Sequence, residues 1–283
     1  MNRVLAIVSV LGRDQKGVVA RISTYLADQD INIEDIEQRV VRGQFLMDML
    51  VDITGATVSL DELVVGLLAI GREIDMEIRV TLHNKRERPK VGVLVSKESH
   101  CLEQLITDHS AGLRHGDLVT VVGNHEDLRP VAESAGIPFA WRPSDDKDAH
   151  EAFVVEELGR AGADVVVLAR YMQILSSEFC QFLRGRAINI HHSFLPSFKG
   201  AKPYYQAHER GVKLIGATAH YVTAELDEGP IIEQDVERVD HTLSPEDFTA
   251  VGRDVECVVL ARAVRWHVEH RVLLNGKKTV VFR

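Results

Sequence analysis

Hydrophobic and polar positions in the first part of the chain change their period in a regular order. Residues 4–10 form an apolar, β-branched run, and apolar residues at helical spacing follow it. Alternation then predicts two strands over 31–41 and 45–51, followed by an amphipathic helix. Unbroken alternation over 74–82 predicts a last strand. The resulting order, β-α-β-β-α-β, is that of a ferredoxin-like α/β unit, which we assign to residues 1–83.

The small sheet of this first domain has open edge strands, and pairing with a second copy is a common way to cover such edges. We therefore expect the protein to be a homo-oligomer, either a dimer or a tetramer. No catalytic constellation stands out in these residues. The predicted role of the first domain is therefore assembly or regulation.

Two features of the first domain resemble an ACT domain, a module that often binds a free amino acid between two copies. One is the loop Asp14-Gln15-Lys16-Gly17 at the start of the first helix, and the other is Asn32 at the start of the second strand. The resemblance implies an amino-acid effector bound by Asp14, Gly17 and Asn32, with helix N–H groups donating to its carboxylate. A second interpretation stays open, in which Asp14 and Asn32 only cap turns and the domain serves assembly alone.

A second domain follows the polar segment 84–90, which is predicted to be a linker. The remaining residues, 91–283, contain apolar runs of strand length that helical stretches separate, and these runs cover 91–95, 118–122, 165–168 and 187–190. Strands without polar alternation are typical of a mostly parallel α/β sheet that helices cover on both faces. Ligands of such sheets bind beyond the carboxyl ends of the strands, so we expect the chemistry there.

Composition and charge exclude several classes of protein. The 283 residues include 33 Lys and Arg against 42 Asp and Glu, and this net charge of −9 argues against a nucleic-acid-binding surface. No apolar run approaches the roughly 18 residues that span a bilayer. The 3 cysteines are far apart and lack a C-x-x-C pair, as is typical of free thiols in a reducing compartment. We therefore expect a cytoplasmic protein that binds neither nucleic acid nor membranes.

The end of the fourth apolar strand carries the clearest candidate chemistry. Period 2 places Asn189 and His191 on one face of this strand and His192 on the other. An amide beside an imidazole suits acyl-group chemistry, because the amide holds a carbonyl oxygen that gains negative charge while the imidazole moves protons. Adjacent strand histidines do not chelate one metal ion, so we expect no metal site.

Two later segments add polar residues whose roles the pattern alone leaves open. Asp227 precedes the turn Gly229-Pro230 and is either a carboxylate that the local backbone holds for chemistry or a residue that caps its own loop. His220 alternates with apolar neighbours and is equally explained as a sheet histidine. The loop Ser96–His100 lacks glycine, which argues against a phosphate-bearing second substrate at that strand end.

Three motifs together closely resemble the folate-dependent formyltransferase domain, and they are Asn189-x-His191-x-Ser193-x-Leu195-Pro196, His220-Tyr221-Val222 and Asp227-Glu228-Gly229-Pro230. The resemblance implies that Asn189, His191 and Asp227 form the catalytic set. It also implies that the loop 171–175 receives the pterin ring of 10-formyltetrahydrofolate. The residues that we assign to substrate binding are Tyr171, Met172, Gln173, Ile174, Leu175, Ser193, His220, Gly229 and Pro230.

Within this family, an ACT domain in front of the formyltransferase-type domain is characteristic of the enzymes that hydrolyse 10-formyltetrahydrofolate to tetrahydrofolate and formate. The resemblance therefore implies a hydrolase without a prosthetic group that supplies formate for purine synthesis and balances one-carbon pools. Two alternatives are formyl transfer to an amine acceptor and an inactive amino-acid sensor. The segment Phe198–Tyr204 also matches the family, but Tyr205 stands where the family pattern has histidine.

Overall fold

The computed structural model describes residues 4–83, 88–113, 116–195 and 203–282. Contacts within the chain divide it into two compact units, residues 1–88 and 89–283. Most of the predicted linker, residues 84–87, lies outside the described residues, as do Pro196 and residues 198–202 of the matched motifs. The strand that opens the second unit begins at Lys90.

The first unit is a four-stranded antiparallel sheet with two helices packed on one face. Its elements are β1 (Leu5–Arg13), α1 (Val18–Asp28), β2 (Asn32–Val41), β3 (Gln44–Asp52), α2 (Leu60–Glu73) and β4 (Met76–His83). The strand order β2-β3-β1-β4 confirms the predicted ferredoxin-like fold. Alternate residues of β1, Ala6, Val8 and Val10, pack against both helices in one apolar core, as the period-2 pattern requires.

The second unit is built around a mixed sheet of seven described strands. Its elements are β5 (Lys90–Val95), α3 (His100–Ser110), β6 (Asp117–Gly123), α4 (Arg129–Ser134), β7 (Phe139–Trp141), α5 (Lys147–Ala161), β8 (Val165–Ala169), α6 (Ser177–Phe182), β9 (Ala187–His191), α7 (Pro203–Glu209), β10 (Leu214–Tyr221), β11 (Ile231–Arg238), α8 (Pro245–Val268), β12 (Val272–Asn275) and β13 (Lys278–Val281). The sheet order is β11-β10-β9-β8-β5-β6-β7. Strands β5 to β9 pair in parallel, whereas β10 and β11 pair antiparallel. The predicted mostly parallel sheet is confirmed.

Helices cover both faces of this sheet, and β5 contributes residues to the apolar core on each face. Val91, Val93 and Val95 of β5 pack with residues of α3 and α8 in one core. Leu94 packs with residues of α5 and α6 in the other core. The carboxyl ends of β5, β8 and β9 lie at one edge of the sheet, and this edge is where ligands of such folds bind.

The elements that the sequence pattern did not predict are short. They include β7, α7, β11 and the hairpin of β12 and β13, and none of them is longer than 8 residues. A period needs several turns or alternations to become visible, so such elements give little signal. No described helix combines the length and the apolar character that crossing a membrane requires.

Two neighbouring valines of α8 provide a test of the larger core. Val259 is fully buried, whereas Val258 is 42% exposed. We expect Val259→Ala to lower the free energy of unfolding by about 2 kcal/mol, because two methyl groups leave a packed core. The same change at Val258 should alter it by less than about 0.5 kcal/mol. Urea denaturation of the two full-length variants measures both values, and equal effects would contradict the assigned faces of α8.

Candidate active site

The antiparallel pairing of β9 with β10 places Asn189 opposite His220. The Nδ2 atom of Asn189 lies 3.2 Å from Nε2 of His220. The other ring nitrogen of His220, Nδ1, lies 2.9 Å from the carbonyl oxygen of Tyr221 and donates to it. In a neutral imidazole only one nitrogen carries a proton, so Nε2 accepts a hydrogen bond from the Asn189 amide. His220 thereby holds this amide at the end of β9.

His191 ends β9, and the carboxylate of Asp227 holds its ring. Oδ1 of Asp227 lies 3.3 Å from Nδ1 of His191, whose side chain is only 7% exposed. Nε2 of His191 is buried and has no hydrogen-bond partner among the residues that the structure describes. A carboxylate at Nδ1 selects the tautomer in which Nε2 keeps its lone pair. This nitrogen is therefore available to a proton donor in the site.

The carboxylate of Asp227 is stabilised as an anion mainly by His191. Hydrogen bonding by His191 holds the pKa of Asp227 well below its usual range despite partial burial. Nε2 of His220, which accepts from Asn189, lies 3.7 Å from Oδ1 of Asp227, beyond hydrogen-bond distance. The backbone of Asp227 has a φ of 56°, in the left-handed region that aspartate tolerates better than most residues. Of the two interpretations of the sequence, one had the local backbone hold this carboxylate and the other had it cap its own loop. The contact observed is instead with the ring of His191, at the end of β9.

Gly229 and Pro230 attach the loop that carries Asp227 to the end of β10. The carbonyl oxygen of Pro230 accepts a hydrogen bond of 2.9 Å from the N–H of Tyr221. A Cβ atom on Gly229 would lie 1.7 Å from the carbonyl oxygen of Tyr221 and 3.1 Å from Nδ1 of His220. Only glycine permits this approach. The two residues are outside the lining of the cavity described below, and their observed contacts position Asp227.

Thr218 of β10 attaches the segment that follows His191. Its hydroxyl donates to the carbonyl oxygen of Ser193 at 2.9 Å and accepts from the N–H of Leu195 at 3.1 Å. Ser193 is buried and lies outside the cavity lining. The observed contact of Ser193 therefore supports the loop, and its role in substrate binding stays a prediction.

A cavity of about 260 Å³ lies at the carboxyl ends of β8 and β9. It brings together the three predicted catalytic residues, His220 and the whole predicted pterin loop 171–175. The lining residues are Leu168, Arg170, Tyr171, Met172, Gln173, Ile174, Leu175, Cys180, Asn189, Ile190, His191, His192, His220, Val222, Thr223, Ala224, Glu225, Leu226 and Asp227. A cavity of this kind, with an apolar rim and a few convergent polar groups, is typical of a small-molecule site.

The rim of the cavity is apolar and exposed. Met172 is 56% exposed and Ile174 is 70% exposed, so neither side chain is the core residue that its apolar character alone indicates. Leu226, on the loop before Asp227, is 60% exposed. The N–H of Met172 donates to Oγ of Ser96 at 3.0 Å, which ties the loop to the end of β5. Exposed apolar side chains around a cavity are typical of a surface that binds a flat ring.

Sequence reasoning missed several lining residues. His192 was expected to point away from His191, but β9 ends at His191, and the two rings stack with centroids 5.0 Å apart. The segment 222–226 has no polar pattern that marks it. Arg170 was also missed, although a charged residue directly after the buried strand β8 is a signal that identifies it.

Comparisons with known proteins match both units. The family model described as an ACT domain matches residues 5–81, and the model described as formyl transferase matches residues 89–264. A formyltetrahydrofolate deformylase of Bacillus subtilis is 44% identical over an alignment of 275 positions, and the match covers 95% of this chain and 91% of that protein. This chain belongs to the formyltetrahydrofolate deformylase family.

Solved structures of the deformylase family share the fold of the whole chain. The deformylase from Pseudomonas syringae pv. tomato is 45% identical, with a TM-score of 0.90 over 100% of this chain and 95% of that chain. Glycinamide ribonucleotide transformylase 1 from Symbiobacterium toebii is 29% identical, with a TM-score of 0.66 over 71% of this chain and 96% of its own. The similarity to the deformylase therefore extends further along this chain than the similarity to the transformylase.

The predicted effector residues of this deformylase-family chain lie where elements of the first unit begin. Gly17 precedes α1 with a φ of 88°, which glycine adopts without strain, and no side chain caps this helix. Asp14 is exposed, and its N–H donates to the carbonyl oxygen of Gly43. The amide of Asn32 donates to Glu34 at 2.9 Å. A free amino acid at these residues stays a prediction.

Among the described residues of this deformylase-family chain, one group could hold a metal ion. It consists of His100, Cys101 and Glu256, whose possible ligand atoms lie within 4.8 Å of one another. Nε2 of His100 already lies 2.8 Å from Glu256. Nε of Arg170 lies 3.4 Å from the same carboxylate, and its charge would repel a metal cation. An internal ion pair explains this group, and the absence of a metal requirement stays a prediction.

The contact between Asp227 and the histidines predicts pH-dependent stability. Because the folded-state pKa of Asp227 is depressed, its ionised form stabilises the native state above the unfolded-state value of about 4, and this contribution is lost as the pH falls further. We expect Asp227→Asn to lower the melting temperature near neutral pH and to lose this deficit progressively below about pH 4. Melting curves of wild type and variant across this range measure the difference. A deficit that is independent of pH would contradict the ionic contact.

Proposed function

We propose that the chain hydrolyses 10-formyltetrahydrofolate to tetrahydrofolate and formate. The observation that carries the proposal is the unpartnered Nε2 of His191, whose ring Asp227 holds in a cavity that Asn189 also lines. The relatives named formyltetrahydrofolate deformylase match nearly the whole chain, which supports both the substrate and the reaction.

The substrate takes its orientation from two sides of the cavity. The pterin ring lies against the loop 171–175, where Met172 and Ile174 present exposed apolar surface. The formyl group lies against Asn189, whose amide has a second N–H beside the one that His220 accepts. That second N–H donates to the formyl oxygen and stabilises the negative charge that develops there.

His191 moves the protons of the reaction. A water molecule attacks the formyl carbon and transfers a proton to Nε2 of His191, while Asp227 stabilises the imidazolium that forms. Asn189 and the imidazolium stabilise the oxyanion of the tetrahedral intermediate. The bond between the formyl carbon and N10 then breaks, and the proton passes from His191 to N10. Tetrahydrofolate and formate result, and no metal or covalent intermediate takes part.

The surroundings of the catalytic set favour water over an amine acceptor. The same three residues would serve transfer equally well, so the choice rests on the neighbouring loop Ser96–His100. This loop lacks glycine, and Oγ of Ser96 is engaged with the N–H of Met172. His100 begins α3 and binds Glu256. Ser96 and His100 of this loop therefore contact the protein itself, which argues against a cradle for a phosphate-bearing acceptor.

We further propose a cellular setting. The described cysteines are free thiols, which suits the reducing cytoplasm. The released formate supplies purine synthesis and balances one-carbon pools. A first domain that senses a free amino acid would restrain an enzyme that otherwise depletes formylated folate.

The catalytic assignment predicts large losses of turnover. We expect His191→Ala, Asn189→Ala and Asp227→Ala each to lower kcat by about 100-fold or more, because each removes an acid–base group, an oxyanion donor or the group that orients the base. Wild type should release tetrahydrofolate and formate in equal amounts without an acceptor or added metal, and a chelator should not change the rate. Absorbance of the folate and enzymatic detection of formate measure both products.

His241→Ala is the matched control, since His241 is exposed and lies outside the cavity lining. Its turnover should equal that of wild type. Near-normal turnover of His191→Ala would contradict the proposed mechanism. If wild type turns over only when an amine is added, the reaction is formyl transfer and the proposal of hydrolysis is wrong.

We propose that the first unit assembles copies of the chain and binds an amino acid near Asp14, Gly17 and Asn32. The edge strand β2 supports assembly, because Ile36 and Val40 are 43% and 48% exposed on it. One of the common free amino acids should raise the melting temperature of the full chain by about 2–4 °C when present well above its dissociation constant.

Asp14→Ala should abolish this shift, whereas Asp28→Ala, at the other end of α1, should keep it. Light scattering should show a mass above that of one chain, and Val40→Lys should lower this mass. A monomeric wild type contradicts the assembly role. The absence of a shift with every amino acid tested contradicts sensing and leaves the catalytic proposal unaffected.

A further inference from the structure

A buried charged cluster lies next to the cavity, and the hydrolytic mechanism above does not use it. Its centre is Glu256 of α8, whose side chain is only 1% exposed. Oε2 of Glu256 lies 2.8 Å from Nε2 of His100 and 3.4 Å from Nε of Arg170. The hydroxyl of Tyr204 donates to Oε1 at 2.6 Å. Three segments that are distant in sequence therefore converge on one carboxylate.

Arg170 connects this cluster with the cavity. It directly follows β8 and has a φ of 60°, a left-handed conformation that costs a residue with a side chain about 1 kcal/mol or more. Arg170 is one of the residues that line the cavity, and its guanidinium contacts Glu256. Nε and Nη1 are buried, and neither forms a hydrogen bond with the described residues. The negative charge of Glu256 therefore holds the guanidinium, although the backbone of Arg170 adopts an unfavourable conformation.

The carboxylate of Glu256 requires a cation. Burial raises the pKa of Glu256, but the hydrogen bond from His100, the charge of Arg170 and the hydrogen bond from Tyr204 outweigh it, so the pKa lies below its usual range. A buried anion that loses its positive partner is strongly destabilising. A carboxylate at this position would attract any small cationic amine that reached it, and amines are acceptors of formyl groups.

We propose that Arg170 determines the specificity for water, because its guanidinium occupies the position beside Glu256 that the amino group of an acceptor would otherwise take. The inference rests on the proposed hydrolysis and extends it. A guanidinium stays protonated in proteins and so does not itself attack the formyl carbon. Because Arg170 fills the position beside Glu256, an amine does not bind there, and water is the nucleophile that reaches the formyl group.

Removal of the guanidinium should allow transfer to a small amine. The bound ammonium would first release one proton to solvent, and the neutral amine nitrogen would then attack the formyl carbon. The bond from this carbon to N10 would break, and the second proton lost by the amine would pass through His191 to N10. The products are an N-formyl amine and tetrahydrofolate. No oxidant, reductant or further reactant is consumed.

The test uses Arg170→Gly in the full chain, with glycinamide as the amine. Glycine adopts the left-handed conformation freely, so this change relieves backbone strain while it empties the position. We expect the ratio of N-formylglycinamide to formate, measured by mass spectrometry, to rise at least about tenfold over wild type. Added guanidinium, at concentrations far below denaturing ones, should refill the position and return the ratio toward that of wild type.

Two further variants separate specificity from a merely structural effect. Arg170→Gly combined with Glu256→Gln removes the carboxylate that attracts the amine, and the ratio should fall again. Arg253→Ala is the matched surface control, because Arg253 is 46% exposed and pairs with Glu98 at 2.5 Å. Its product ratio should equal that of wild type.

The proposal is overturned if folded Arg170→Gly forms no more N-formylglycinamide than wild type, or if the double variant forms as much as the single one. Arg170→Gly could fold only when guanidinium is added. In that case glycinamide should raise its melting temperature as guanidinium does. The proposal is also overturned if glycinamide has no such effect. Hydrolysis by wild type is measured in the same assay. A failure of the proposed function would appear there, independently of the result for Arg170.

Discussion

The register between β9 and β10 is the constraint on which the site depends. This antiparallel pair places Asn189 opposite His220 and His191 opposite Thr218. Side chains alternate across a strand, so a shift of one residue would move both histidines to the other face of the sheet and bring apolar residues into the cavity. The pairing of these two short strands therefore brings together the Asn189 amide, the two imidazoles and Thr218, which holds the segment after His191. Asp227 then needs only one loop to reach them.

The polar groups at this edge of the sheet differ in how completely they are paired. Asp227, Asn189 and Nδ1 of His191 all have partners within the protein. Nε2 of His191 and Nη1 of Arg170 have none among the described residues. A buried polar atom without a partner destabilises a fold, so such atoms persist in structures mainly where a ligand or a reaction uses them. The paired atoms hold the geometry, and the unpaired ones belong to residues that line the cavity.

Local patterns predicted the parts of the structure that have a clear period. The four predicted parallel strands, β5, β6, β8 and β9, end within one residue of their predicted limits, and Asn189 and His191 were found because they share a strand. No local pattern predicted the partner of Asp227, since a left-handed loop brings it to His191 from a distant part of the sequence, and only the family resemblance grouped the two residues. His192 was misplaced because alternation stops where the strand ends. The role of Arg170 depends on Glu256 in α8, and no local pattern connects the two residues.

The exposed apolar rim has a thermodynamic consequence. Met172, Ile174 and Leu226 present large apolar side chains to water. If a pterin covers them as proposed, the ordered water of that surface is released, and the heat capacity of the complex falls below that of the separate partners. The binding enthalpy then becomes more favourable as temperature rises, while the affinity changes little. Folate binding would thus be driven largely by solvent entropy in the cold and by enthalpy in the warm.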